Sequence, residues 1–154
     1  MRAHAILAIA LLLGASSCSN QKLPPRTVAV LEQADQFELL ALSPTSTKSD
    51  QSFHGYAVLG AAKISQTDTR RRLVSALRQS MRESDGTLAA CFHPRHGIRA
   101  TRNGKQVDLV ICFECLSFKL YGDSEETFHI TSKPKTLFDE VLKNSGASPV
   151  RPSL

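Results

Sequence analysis

Apolar positions along this chain follow two different periods, and the switch between them outlines the fold. Leu73, Val74, Leu77 and Met81 recur at helical spacing, with Ala76 beside the stripe, and predict a helix over Thr67–Ser84. Thr67 is placed to cap it, Asp68 lies in its first turn, and Asp85-Gly86 supplies the stop. Leu137, Phe138, Val141 and Leu142 predict a second helix over Pro134–Asn144, capped by Ser132 and stopped by Gly146.

The remaining apolar runs are short and read as strands. Phe37–Leu42 is bounded by Ser43-Pro44, and Phe53–Ile64 forms a second run with Gly55 and Gly60 inside it. The polar stretch Thr45–Ser52 between them is expected to be a mobile loop. Leu88–Phe92, Ile98–Arg102, a run from Val107 onward and Thr127–Thr131 complete the set, while Thr27–Asp35 reads as a short helix or an extended lead-in.

Asn103-Gly104 is a strong hairpin signal. Taken as the tip, it places Arg102 opposite Lys105, Ala100 opposite Val107, Arg99 opposite Asp108 and Ile98 opposite Leu109. Apolar residues face apolar ones and the charged pair has opposite signs, so the register is self-consistent. Beyond the hairpin the phase changes: Val107, Leu109, Ile111 and Phe113 occupy odd positions, whereas Leu116, Phe118 and Leu120 occupy even ones. A strand with one buried face cannot do this unbroken, so a bulge is expected near Glu114–Leu116. The order of elements predicts an α+β fold: an antiparallel sheet of five to six strands with two main helices packed on one face. A single domain is expected over residues 27–146, followed by a loose tail over 147–154.

The start of the chain has a different character. Arg2 precedes an apolar run, Ala5–Leu13, that is too short to span a bilayer, and Gly14-Ala15-Ser16-Ser17 leads into Cys18. This stretch resembles the lipobox of bacterial lipoproteins. The resemblance implies a signal peptide over residues 1–17, acyl chains such as palmitate on Cys18, and a tether over 18–26. Ser19 after the cysteine, in place of aspartate, implies the outer membrane facing the periplasm. An ordinary secretory signal with Cys18 incidental is the competing reading.

The net charge is +5, of which Arg2 contributes one, leaving +4 after the leader. Arg70-Arg71-Arg72 is the only cationic run, and a solvated helix face explains it better than an acidic lipid head group. In an envelope protein nucleic acid is not an expected partner; the membrane is expected through Cys18, and a protein partner is left open.

Unusual chemistry gathers between Cys91 and Cys115. Cys91, His93 or His96, Cys112 and Cys115 form a candidate Cys₃His metal set, with zinc or copper the metals such donors suit. An oxidising envelope favours a disulfide instead, with Cys91–Cys115 the first candidate and Cys91–Cys112 the second. A third reading packs the thiols as small hydrophobes in the core. Catalysis by Cys112 or Cys115 with a histidine and Glu114 lacks any cysteine-hydrolase signature. His54 reads as structural, and His129, between Phe128 and Ile130 in a short alternating strand, reads as solvent-facing.

The segments Phe37-Glu38-Leu39, Phe53-His54-Gly55-Tyr56, Cys91–Ile98 and Val107–Cys115 together resemble a family of small bacterial proteins, over about residues 30–145. The resemblance carries no activity. The expected function is a lipid-anchored envelope binding or accessory protein with a Cys/His hairpin site; the alternative is a thiol-dependent enzyme or redox protein using Cys112 or Cys115.

Overall fold

The computed structural model describes residues 21–47 and 49–147; the leader, Cys18 and the tail beyond Ala147 lie outside the described residues. The described residues form an α+β fold, with six strands in one antiparallel sheet and three helices. In chain order these are α1 (Pro25–Glu32), β1 (Gln36–Ser46), β2 (Tyr56–Lys63), α2 (Thr67–Glu83), β3 (His96–Arg102), β4 (Lys105–Cys112), β5 (Ser117–Tyr121), β6 (Glu125–His129) and α3 (Lys135–Asn144). Across the sheet the strands run β2-β1-β3-β4-β5-β6.

The β3–β4 hairpin has the expected register at every pair, from Arg102 opposite Lys105 to Ile98 opposite Leu109. Its tip needs two residues at positive φ, and Asn103 (φ 49°) and Gly104 (φ 74°) supply them.

Alternate strand positions divide into two apolar clusters, as a pleated sheet requires. Leu39, Ala41, Ile98, Ala100, Leu109, Ile111, Phe118 and Leu120 belong to the larger cluster, to which all three helices contribute, including Leu31, Leu77 and Phe138. Leu40, Leu42 and Val110 belong to the smaller cluster with Phe53, and none of the three described helices contributes to it. We call these the first and second faces.

Several local expectations change. The phase break near Glu114 is real, but it is a reversal of the chain and not a bulge. Residues 113–116 form a tight turn, and β5 folds back on β4 with Cys112 opposite Ser117. A bulge would shift the phase by one residue and keep direction; a turn shifts it and opens a new strand, which the alternating pattern alone does not distinguish. Leu88–Phe92 forms no strand, and Phe53 lies before β2, joined to Tyr56 by an isolated bridge. Gln66, not Thr67, occupies the N-cap of α2, and Pro134, not Ser132, that of α3; neither cap makes a side-chain hydrogen bond.

Both domain edges also move. From Gln21 the chain is packed and does not form a free tether: the Gln21 side-chain oxygen accepts the His129 N–H at 2.8 Å, and Leu23 is buried. Pro25 starts α1 within the first turn, where its missing N–H costs nothing. At the other end Ala147 is buried and sits against β2, where a Cβ on Gly60 would lie 3.0 Å from its own Cβ.

Candidate binding face

The turn after β4 decides the fate of the cysteines. In an extended strand Cys112 and Cys115 would be about 10 Å apart. The turn brings their Cα atoms to 5.1 Å, and the two form a disulfide. Both residues are buried, while Cys91 is free and exposed. The expected Cys91–Cys115 pair is therefore replaced by Cys112–Cys115, as is its alternative, Cys91–Cys112. Ala89 and His93 on either side of Cys91 both donate to Cys115, to its carbonyl oxygen and its Sγ, while Cys91 itself is exposed and the turn has already paired Cys115 with Cys112.

The disulfide carries a backbone clamp. The His93 N–H points to Cys115 Sγ at 3.3 Å, and the His93 carbonyl oxygen is 3.3 Å from Cys112 Sγ. His93 thus meets the sulfurs through its main chain, and its residue surface is exposed.

His96 points elsewhere. It is fully buried on the first face, its ring edge-on to Phe113 and Phe138, with Nε2 2.7 Å from Asp139 Oδ1. Lys135 Nζ bonds the other oxygen of Asp139 at 2.6 Å. Burial raises the Asp139 pKa, but hydrogen bonds from His96 and Lys135 outweigh it and hold the carboxyl below its ordinary value. Among the described residues, buried His96 Nδ1 has no hydrogen-bond partner.

The set Cys91, His93, His96, Cys112 and Cys115 consequently does not come together. His96 and the disulfide lie on opposite faces, and the two paired sulfurs are not thiolates. Among the described residues no group of three or more His, Cys, Asp or Glu is arranged to hold a metal ion.

What the sheet does assemble lies on the second face. Asp108, 3% exposed, receives Arg99 Nε at 2.9 Å on one oxygen; Arg99 Nη2 at 2.7 Å and Gln106 Nε2 at 3.1 Å bond the other. His54 Nε2 lies 2.8 Å from that second oxygen. The hydrogen bond to Asp108 raises the Arg99 pKa against its partial burial, so the guanidinium keeps its charge. His54 stacks on Tyr121 with ring centroids 3.8 Å apart, and Arg99 lies over the Phe53 ring at 5.0 Å. Burial, followed by the negative charge of Glu125, raises the Tyr121 pKa and keeps its phenol neutral at physiological pH.

The loop between β1 and β2 is held at its β2 end by this cluster. Phe53 enters the second-face core, and His54 reaches the carboxylate from a left-handed backbone at φ 49°. The expected mobile loop is therefore clasped at this end. Beside it a hollow of about 250 Å³ is lined by Pro44, Thr45, Ser46, Tyr56, Phe92 and His93. Phe92 meets Tyr56 edge-on at 6.4 Å, and Lys119 Nζ lies 5.6 Å over the Phe92 ring.

The Arg99–Asp108 pair was legible from the hairpin register. The third partner, His54, stands 54 residues from Asp108, and no local signal connects them. His129, expected to face solvent, is half-buried, and its backbone N–H donates to the Gln21 side-chain oxygen. No family model, curated protein or solved structure matches the chain.

Proposed function

We propose that this chain is a lipid-anchored envelope protein whose folded domain is a non-enzymatic binding module, with the second face of its sheet as the binding surface. The observation that carries the binding reading is the clasp of His54 and Arg99 on the buried carboxylate of Asp108. It fixes a loop over a sheet face whose apolar cluster takes no residue from the described helices, and it leaves an aromatic and basic rim of Tyr56, Phe92 and Lys119 beside a shallow hollow. Fixed loops on a rigid sheet are a common way to present a binding surface. The lipobox-like sequence ending at Cys18 supports the anchor, and the Cys112–Cys115 disulfide is compatible with an oxidising compartment.

The Cys-x-x-Cys disulfide favours one second reading, a thiol redox protein. Burial of both sulfurs argues against it, because exchange requires a thiolate to approach one of them. Here the disulfide is a staple for the turn.

Metabolic labelling with a palmitate analogue, followed by membrane fractionation, tests the anchor. Label on the wild-type chain, absent from Cys18→Ser, supports it; an unlabelled chain in the soluble fraction rejects it. For the surface, crosslinking in cells through a photoreactive residue placed at Phe92 should capture an envelope component that the same residue placed at Lys143, at the end of α3, does not. Identical capture from both positions rejects the second face as the binding surface.

A further inference from the structure

We infer that the groove between the N-terminal segment and α2 binds the head group of an anionic phospholipid in the anchoring membrane; the identity of that membrane rests on the lipid-anchor reading above. The groove has a volume of about 470 Å³. Apolar Leu23, Val28 and Met81 line it together with basic Lys22, Arg78 and Arg82. Arg78 is bonded to Glu32 at 2.6 Å, whereas among the described residues Lys22 and Arg82 make no ion pair. Arg71, Arg78 and Arg82 stand at helical intervals of seven and four, so they share one stripe of α2 and extend the positive surface along the helix.

Chain length places this surface at the membrane. Gln21 is packed on the domain and Lys22 lines the groove, so only Ser19 and Asn20 separate Cys18 from the folded chain. Three residue steps reach at most about 11 Å. An acylated Cys18 would therefore hold the groove within roughly one screening length of the head groups. Against the head groups each cation strengthens attraction to an acidic leaflet by up to about fivefold, an effect that fades over one screening length. The groove's mixed lining suits a lipid: cations take the phosphate, and the apolar wall takes the glycerol and first methylenes. Arg26 is paired with Asp123; Glu83 is paired with Lys133 and also attracts Arg82, so with Lys133 counted the net positive excess stays at Lys22 and Arg82.

The test titrates the full chain, as isolated from cells in neutral detergent, with dihexanoyl phosphatidylglycerol below its micelle concentration. Dihexanoyl phosphatidylcholine and inorganic phosphate are run beside it. Selective binding of dihexanoyl phosphatidylglycerol, weakened by about two- to fivefold by Lys22→Gln or Arg82→Gln, as for an exposed ion pair, and further by both, supports the site. Both side chains lie on exposed residues, so unchanged thermal unfolding of the variants would show the loss to be local. Equal binding of the choline lipid, inorganic phosphate binding as well as the lipid, or no effect of either variant would overturn it. Intact mass of the same sample reports acylation separately. A chain without acyl groups that still selects phosphatidylglycerol removes the anchor and keeps the groove; an acylated chain without selectivity does the reverse.

Discussion

The ring of Phe53 occupies the space where Gly97 would carry a side chain: a Cβ there would lie 2.9 Å from Phe53 Cε1. Gly97 sits in β3 between Leu40 of β1 and Val110 of β4, at the floor of the second face. One absent methyl group therefore seats the loop that carries His54.

Gly97→Ala should push Phe53 outward and cost about 1–3 kcal/mol through overpacking. Limited proteolysis should then cut the loop around residues 49–52 faster than in the wild type. A second substitution, Phe53→Leu, should recover part of the loss, with a coupling of at least about 0.5 kcal/mol in a double-mutant cycle. Purely additive effects would mean that the two residues do not share this space.

Asp108 is the hub of the clasp. Asp108→Ala leaves Gln106, His54 and the Arg99 charge without their acceptor; with Arg99 partly exposed, the cost should be about 2–3 kcal/mol by urea unfolding. His54→Ala should cost less, since Arg99 and Gln106 still satisfy the carboxylate. It should, however, raise hydrogen exchange in the loop before β2. Equal losses from the two variants would contradict the hub assignment.

How much of this was legible is clearest in these residues. Hairpin signals are local, and Asn103-Gly104 set the whole β3–β4 register, including Arg99 opposite Asp108. The helical stripes of α2 and α3 were equally plain. The seating of Phe53 on Gly97 and the reach of His54 to Asp108 arise from the fold of a loop across a sheet, and neither leaves a periodic trace. The cysteines failed for a related reason. A change of phase after Phe113 is visible in the sequence, but a bulge and a tight turn leave the same trace. The choice between them decided whether Cys115 continued away from Cys112 or came back to it. Leu116 at φ 56° closes that turn without the glycine that usually signals one.

The acid limb of stability should carry the signature of Asp139. Its carboxyl is held below the ordinary value of about 3.8, so the folded state favours the ionised form. That contribution is present in full above the unfolded pKa and is lost as pH falls through the lower folded pKa. Asp139→Asn should therefore flatten the loss of stability below about pH 4 measured by urea unfolding. An unchanged acid limb would show that His96 and Lys135 do not stabilise the charged form.

The disulfide closes a loop of four residues, for which chain entropy gives about 2 kcal/mol. Replacing Cys112 and Cys115 together by serine should cost about that much and leave the fold intact. Reduction of the wild type in native buffer should be slow, because both sulfurs are buried, and should accelerate once denaturant opens the turn. Rapid native reduction at near-neutral pH would favour the redox reading.

The most direct measurement is a non-reducing peptide map of the chain isolated from cells, alkylated before digestion. The account predicts a first residue of acylated Cys18, a linked Cys112–Cys115 peptide, and alkylation at Cys91 alone. A chain with unmodified Cys18 and with Cys112 and Cys115 both alkylated, or joined to Cys91, would contradict it.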